Sequence, residues 1–224
     1  CHIHCAAVHV CMHERRPDHA QVDFSETLGT IGGLECKIHF YVMSLPHSDA
    51  VFVKGYPTET TEAFCDGHVS AFAFFGGIPQ TILYDNTRIA VARILGDRTR
   101  VRTQRFTELQ SHYLIDGRFG RPARENDKGN VEGMVGFTRR NFMVPPPRFN
   151  SFDDLNAHLE QRCLERQGDK LRGHEQTIGN RLISNREALM GLPVAEYEAC
   201  VHVSTRATSI STVRYRSNDY SVPV

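Results

Sequence analysis

The chain has 224 residues, and its 26 Lys and Arg balance its 26 Asp and Glu, so the formal charge is zero. With about 40% hydrophobic and 23% charged residues it has the composition of an ordinary globular protein, which argues against a simple polycation that coats nucleic acid. It contains no run of 18 apolar residues and no N-terminal signal pattern, so neither a membrane span nor a signal peptide is predicted. The seven cysteines, odd in number and unevenly spaced, predict reduced thiols in a cytoplasmic protein.

The first two thirds of the chain predict strands followed by helices. Three antiparallel strands are predicted at 20–24, 36–43 and 50–54, with turn residues at 29–33 between the first two. A helix begins at an N-cap, Thr58 or Thr60, and ends at Gly76-Gly77. A short buried strand at 81–85 and helices at 103–116 and about 127–142 follow. This order predicts an α/β layered domain.

The last third of the chain begins with a spacer at Pro145-Pro146-Pro147. A capped helix is predicted from Ser151 to about Arg166, and a second helix at 184–190. The tail from Cys200 alternates as β structure and ends within an apolar run. Together with Cys as residue 1, this ending predicts a fragment of a longer protein.

Charge is distributed unevenly along the chain. Residues 1–95 carry 6 basic and 10 acidic side chains, whereas residues 96–142 carry 10 basic and 6 acidic ones. Only four basic residues are Lys, and the bias to Arg favours bidentate phosphate contacts, although genomic base composition explains it equally well.

Three acidic residues have settings that suggest a metal site. Asp23 lies in the first predicted strand, Asp85 ends the strand at 81–85, and Glu132 lies on a predicted helix. A carboxylate beside a buried strand is costly without a cation, and three such groups could hold Mg²⁺ or Mn²⁺. Two ions about 4 Å apart would clamp the oxygens of a phosphodiester displacement. Each acid taken alone is explained better by a capping, turn or surface role.

The order and spacing of these acids resemble those of a known family. Gln21-Val22-Asp23-Phe24, then Tyr84-Asp85-Asn86, then Asp127-Lys128-Gly129-Asn130-Val131-Glu132 resemble the motifs of IstA-type DDE transposases, which are related to retroviral integrases. The resemblance covers residues 19–224. It implies an RNase H-like core, a mixed five-stranded sheet flanked by helices, followed by a helical linker and a partial small β module.

The resemblance also implies a chemistry. Asp23, Asp85 and Glu132 would be the catalytic residues and would hold two Mg²⁺ or Mn²⁺ ions. Hydrolysis at an element end would free a 3′-OH, which would then attack target DNA. Residues expected to contact DNA are Lys128, Arg139, Arg140, Arg98, Arg100 and Arg102.

The implied partners and domains follow from the same family. The partners are double-stranded DNA at the element ends and the target, further copies of the chain on DNA, and an IstB-type helper ATPase, in the bacterial cytoplasm at the nucleoid. The domains expected are an N-terminal tail at 1–18, an integrase-like catalytic core at 19–144, a Pro-rich linker with helices at 145–198, and a truncated β module at 199–224.

The chain departs from the family pattern at two places. Gly133 stands where IstA-type proteins usually carry a basic residue, and the sequence from residue 1 does not predict the family's N-terminal helix-turn-helix. In its place, Cys and His at positions 1–13 invite a zinc interpretation, but a tail or truncation remnant explains them better.

Two other functions remain open at this point. An inactive DNA-binding remnant of a transposase would account for Gly133 and for the missing helix-turn-helix. A nuclease for RNA–DNA hybrids fits the linker and β tail less well.

Overall fold

The computed structural model describes residues 16–84, 91–94, 100–102, 104–119, 129–200, 205–209, 211–215 and 218–221. The strands are β1 (His19–Ile31), β2 (Leu34–Leu45), β3 (Ala50–Tyr56), β4 (Thr81–Tyr84), β5 (Val91–Ile94), β6 (Arg100–Arg102), β7 (Asp116–Phe119), β8 (Arg148–Phe149), β9 (Thr212–Tyr215) and β10 (Asn218–Ser221). The helices are α1 (Thr61–Phe75), α2 (Gln104–Tyr113), α3 (Gly129–Asn141), α4 (Phe152–Arg166) and α5 (Ile178–Ala188). Among the described helices, none is long and apolar enough to cross a membrane.

One mixed sheet organises the described part of the chain. Its strands lie in the order β3-β2-β1-β4-β7, with β8 added beside β1. The first three strands form an antiparallel meander, and β4 and β7 continue the sheet in parallel with β1. This sheet, with helices on both faces, confirms the predicted mixed five-stranded sheet flanked by helices.

Alternation along β2 shows why both faces of the sheet are covered. Tyr41 and Met43 point to a core that includes side chains of α1, α2 and α5. Phe40 and Val42 point to a second core, built with α3 and α4. Successive strand residues face opposite sides, so a strand segment covered on both faces is apolar on both, as residues 40–43 of β2 are.

The hairpin between β1 and β2 is longer than predicted. The strand predicted at 20–24 extends to Ile31, and eleven residue pairs link it to β2. The turn is confined to Gly32 and Gly33, which have φ of 60° and 83°. Both central residues of such a two-residue turn need positive φ, which glycine adopts without strain. Gly29 belongs to the strand.

The capping residues set the bounds of two helices as predicted. Thr60 accepts a hydrogen bond from the Ala63 N–H at the start of α1, and Gly76, with φ of 78°, ends it. Ser151 caps α4 in the same way through the Asp154 N–H. A side-chain oxygen at the N-cap accepts from a backbone N–H that would otherwise be unpaired, so Thr60 and Ser151 mark where their helices begin.

Other predicted bounds were wrong. The helix predicted at 103–116 is α2 and ends at Tyr113, followed by Leu114 with a φ of 55°. The residues after it form β7, a strand that the sequence did not predict. The helix predicted at 184–190 is α5 and begins six residues earlier, where Thr177 caps it through the Asn180 N–H.

The segment after α3 is bound to the sheet. The carbonyl oxygen of Pro147 accepts the Thr30 N–H at 2.8 Å, and β8 pairs in parallel with the end of β1. Leu155, Leu159 and Cys163 of α4 are buried in the same core as β2 and β3. Helix α4, which lies in the segment predicted as a Pro-rich linker with helices, therefore contributes to the core. Near the C-terminus, β9 and β10 form a separate antiparallel hairpin.

Candidate active site

Asp23 lies near the middle of the sheet, on its central strand β1. It is paired with Val42 of β2, and it is half-buried. One carboxylate oxygen, Oδ1, accepts the N–H of Phe24 at 2.8 Å. Val22 and Phe24 on either side pack into the core with α1. Strand alternation therefore directs Asp23 to the opposite face, the face that α3 and α4 cover.

The neighbouring strand β4 is aligned with this part of β1. In the parallel register, Val22 lies opposite Tyr84, the last residue of β4. Tyr84 is fully buried, and its ring packs against Phe106 and Phe64 in the core of α1 and α2. The end of β4 thus lies one residue short of the level of Asp23.

A buried histidine on α1 contacts Tyr84. The ring of His68 has Nδ1 2.7 Å from the Phe64 carbonyl oxygen and Nε2 3.1 Å from the Tyr84 hydroxyl. Complete burial lowers the pKa of His68 to about 4, because the charged imidazolium is poorly solvated in this core. At neutral pH the ring is therefore uncharged.

Helix α3 is joined to β1 by an arginine. Arg139 Nη2 donates to Ser25 Oγ at 2.6 Å and to the Glu26 carbonyl oxygen at 3.3 Å. Ser25 lies two residues after Asp23, so both side chains face α3. Met134 and Thr138 are buried toward the core of that face. The helix is thus held across the strand that carries Asp23.

The predicted site residues fall into three groups by what the structure describes. Asp85, Arg98 and Lys128 lie outside the described residues, as does the Cys/His segment at 1–13. Glu132 lies within α3, and Arg100 and Arg102 lie within β6, but only their backbone is described. The described side chains of the predicted set are Asp23, Arg139 and Arg140, the last exposed on α3.

The described side chains do not by themselves make a metal centre. Within the described ranges, no group of three His, Cys, Asp or Glu side chains is placed to hold an ion. Two of the three predicted ligands, Asp85 and Glu132, have no described side chain. The convergence of the three carboxylates therefore stays a prediction.

Two residues near the candidate site were not singled out from the sequence. The role of Ser25 as the acceptor for Arg139 is known only from the structure, because nothing in the sequence around a serine in a strand predicts such a contact. His68 lies four residues after Phe64 on α1, and a histidine one turn after an aromatic residue on an apolar helix face is the pattern that could have indicated it.

Sequence comparison relates most of the chain to transposases, although no family model matches it. The chain is 37% identical over 205 residues to a transposase for insertion sequences IS1326/IS1353 of Pseudomonas aeruginosa, a match that covers 91% of this chain and 40% of that protein. It is 33% identical to the transposase for insertion sequence element IS21 of the same species, over 91% of this chain and 52% of that protein. The chain thus spans about half or less of these curated relatives.

Comparison with solved structures concerns the fold. A chain in the cryo-electron microscopy structure of the simian T-cell lymphotropic virus intasome, in complex with PP2A regulatory subunit B56 gamma, matches with a TM-score of 0.53 and 17% identity. The match covers 84% of this chain and 60% of that one, and at this identity it shows the fold alone. Over nine tenths of its length, the chain is therefore similar in sequence to transposases of bacterial insertion sequences, and it has an integrase-like RNase H fold.

Proposed function

We propose that this chain is the catalytic part of an insertion-sequence transposase of the IstA type, which cleaves DNA strands and joins a 3′-OH end to target DNA. The similarity to the IS1326/IS1353 and IS21 transposases supports the reaction class. Two observations support placing the active site at Asp23. Strand β4 lies in parallel register beside β1, and α3 contacts β1 at Ser25, two residues after Asp23.

The register between β1 and β4 supports pairing of the two aspartates. Tyr84 lies opposite Val22 and faces the α1 side of the sheet. Strand alternation, extended by one residue, would direct Asp85 to the other side, level with Asp23. Two carboxylates on adjacent parallel strands would then share one face.

The direction of α3 supports the third member of the site. Arg139 contacts β1 at Ser25, and the later residue Pro147 contacts it at Thr30, so the chain advances in the direction of β1. Glu132 precedes Arg139 by seven residues, which is about 10 Å along a helix. The same distance along a strand corresponds to roughly three residues. If α3 runs along β1 in this direction, position 132 would be level with residues 22–23. Residues seven apart share a helix face, so Glu132 also lies on the Arg139 side of α3.

Three carboxylates are a suitable donor set for two Mg²⁺ or Mn²⁺ ions, which prefer hard oxygen ligands. When bound, such ions lower the barrier to phosphodiester displacement by stabilising charge on the attacking and leaving oxygens. Asp23, Asp85 and Glu132 would hold these ions. The Phe24 N–H, which donates to Asp23 Oδ1, fixes the orientation of one ligand.

The DNA contacts belong to the basic residues around α3 and β6. Arg140 is exposed on α3 and can approach phosphate without rearrangement. Arg139 carries a second charge beside it, although its Nη2 is engaged with β1. The remaining contacts proposed are Lys128, Arg98, Arg100 and Arg102.

The partners are double-stranded DNA at element ends and target, other copies of the chain assembled on that DNA, and an IstB-type helper ATPase. The setting is the bacterial cytoplasm at the nucleoid. The domain division stays as proposed, with a tail at 1–18, a catalytic core at 19–144, a linker with helices at 145–198 and a β module at 199–224. Helix α4, in the proposed linker region, packs on one face of the sheet of that core.

Strand cleavage and joining test the proposal. The purified chain is incubated with end-labelled duplex DNA and Mn²⁺, and products are separated by length. Cleaved and joined strands are expected from the wild type and from Asp153→Asn, an exposed acid in α4. Asp23→Asn, Asp85→Asn and Glu132→Gln should give neither product while unfolding at the wild-type temperature. Full activity in one variant would remove that residue from the site.

A further inference from the structure

Strand β3 lies at one edge of the sheet. Within the described sheet, β2 is its only strand partner, so the other edge of β3 has no strand beside it. The sequence of β3, Ala50-Val51-Phe52-Val53-Lys54-Gly55-Tyr56, contains one charged residue and no proline. An edge strand of this composition readily pairs with an extended strand of another molecule, unless the protein covers it.

Helices on both faces of the sheet reach this edge. Residues 50–53 are at most 5% exposed, although they belong to the outermost strand. Lys54 is the charged residue of the strand, and its Nζ donates to Asp66 Oδ2 of α1 at 2.7 Å and to Ser70 Oγ of α1 at 2.9 Å. On the other face, α4 packs against the buried valines of β3. The edge is therefore covered by helices and not by a strand.

Asn156 of α4 takes the place of a neighbouring strand at Gly55. Its Oδ1 accepts the Gly55 N–H at 2.7 Å, and its Nδ2 donates to the Gly55 carbonyl oxygen at 3.1 Å. A residue in an antiparallel strand exchanges the same two bonds with the residue opposite it. A side-chain carboxamide can do so because it carries the donor and the acceptor of a peptide group. Both backbone groups of Gly55 are thus paired without a further strand.

The close approach of α4 depends on the absence of a side chain at Gly55. A Cβ at this position would lie 2.9 Å from Leu155 Cδ2 and 3.4 Å from Asn156 Oδ1. About two turns further along α4, the buried thiol of Cys163 is hydrogen-bonded to the backbone of Val53. Backbone groups of residues two apart in a strand point to the same edge, so α4 covers the edge of β3 at two points.

A groove leads from the surface to this edge. It has a volume of about 380 Å³, lies between α1 and α4, and has Phe52, Val53 and Lys54 of β3 among its lining residues. Asn156 lines the same groove from the side of α4. Truncation of Asn156 would widen the groove where a further strand would have to enter.

We propose that Asn156 closes the β3 edge of the sheet and thereby prevents it from pairing with an extended strand, such as β3 of a second copy of the chain. The proposal goes beyond the function proposed above. It concerns a strand two places away from β1 in the sheet, and it requires neither metal nor DNA.

Hydrogen exchange of the Gly55 amide tests the contact. In the wild type this N–H should be protected, and in Asn156→Ala it should exchange roughly 10-fold faster, because its acceptor is gone. The matched control is Asn141→Ala, which removes an exposed asparagine whose Nδ2 donates to the Phe137 carbonyl oxygen within α3. It should leave exchange at Gly55 unchanged. A Gly55 amide that already exchanges in the wild type as fast as in an unstructured peptide would overturn the proposal.

Peptide binding tests the consequence for strand pairing. A fluorescent peptide with the sequence of residues 50–56 is titrated with the purified chain, and its anisotropy is recorded. Asn156→Ala should bind the peptide, whereas the wild type and Asn141→Ala should not. Equal anisotropy with all three proteins would show that Asn156 does not control this edge.

A second variant covers the case in which Asn156→Ala does not fold. Asn156→Asp keeps the shape and the acceptor oxygen, but at neutral pH its carboxylate cannot donate to the Gly55 carbonyl oxygen. That carbonyl is then left for the N–H of an incoming strand, so Asn156→Asp should also bind the peptide more tightly than the wild type. Wild-type behaviour toward the peptide in whichever of the two variants folds would overturn the proposal.

Discussion

Arg139 of α3 and Ser25 of β1 are joined by a hydrogen bond of 2.6 Å, two residues beyond Asp23. The bond holds the C-terminal end of α3 against this part of β1. The neighbouring Glu26 is also charged in this region, since the hydrogen bond from Lys37 lowers the pKa of its carboxyl group. An arginine expected to contact DNA thus also has a structural contact within the chain.

The Ser25→Ala variant separates these two roles of Arg139. It leaves the charge of Arg139 in place but removes the acceptor on β1, so unfolding free energy should fall by about 0.5–1.5 kcal/mol. Strand cleavage should fall with it, because α3 is less firmly positioned, whereas DNA affinity in a salt series should stay unchanged. If Ser25→Ala cleaves normally and only Arg139→Ala weakens DNA binding, the arginine serves DNA contact alone.

Stability should depend on pH through His68. Above pH 6.5 the ring is neutral in both folded and unfolded chains, but below it the unfolded chain binds a proton that the folded core excludes down to about pH 4. Folded stability is therefore lost as pH falls, by about 2 kcal/mol between pH 7 and pH 5. Urea unfolding of wild type and His68→Phe measures it, and the wild type should lose that much more than the variant. Parallel losses would contradict the assignment.

Core packing of α4 predicts a large effect of Leu159→Ala. Leu159 is fully buried against the sheet, so its truncation should lower the unfolding free energy by about 2–5 kcal/mol. The control is Leu164→Ala on the same helix, where the side chain is 48% exposed and the effect should stay within about 0.5 kcal/mol. Equal, small effects in urea unfolding would show that α4 is dispensable to the core.

Gly133 offers a site for a gain of function. A Cβ built there meets nothing within 4 Å, and the residue is exposed on α3 next to Glu132. Gly133→Ala should stabilise the chain by up to about 1 kcal/mol, because alanine has the higher helix propensity. Gly133→Arg should in addition bind duplex DNA more tightly and make log affinity fall more steeply with log salt, by about one unit of slope. An arginine variant that binds DNA no better than the alanine variant would place this helix edge away from DNA.

The elements that the sequence predicted well are those specified by local chemistry. Thr60 and Ser151 accept backbone N–H groups at the start of a helix, and Gly76 ends a helix in the left-handed conformation. These effects involve only residues nearby in the chain, so they can be predicted without knowing the fold. Strands β2 and β3 were recognisable because each contains a run of consecutive apolar residues that is buried on both faces, residues 40–43 in β2 and 50–53 in β3.

The missed elements depend on partners far away in sequence. β7 has four residues and exists because it pairs with β4, and a Cβ on its Gly117 would lie 1.8 Å from Gln110 Nε2, so the strand fits only by close approach to α2. Arg100 and Arg102 were singled out from the sequence only as residues expected to contact DNA, and they lie in a strand, β6, because this segment pairs with β5. The contact of Arg139 with Ser25 links residues 114 positions apart, beyond what periodicity can indicate.

The candidate site was predictable only as a set of positions. Order and spacing singled out Asp23, Asp85 and Glu132, and the structure adds the β1–β4 register and the contact of α3 with β1 at Ser25. Neither of these follows from local patterns, because both are properties of the assembled sheet and helix.

Mn²⁺ binding to the wild type and to three carboxylate variants tests the central claim most directly. Calorimetric titration of the wild type and of Asp153→Asn should show Mn²⁺ binding of equal affinity. Asp23→Asn, Asp85→Asn and Glu132→Gln should each bind at least 10-fold more weakly while remaining folded, because each removes a charged ligand from one site. Equal Mn²⁺ affinity in the wild type and all three variants would contradict a shared metal site at these residues.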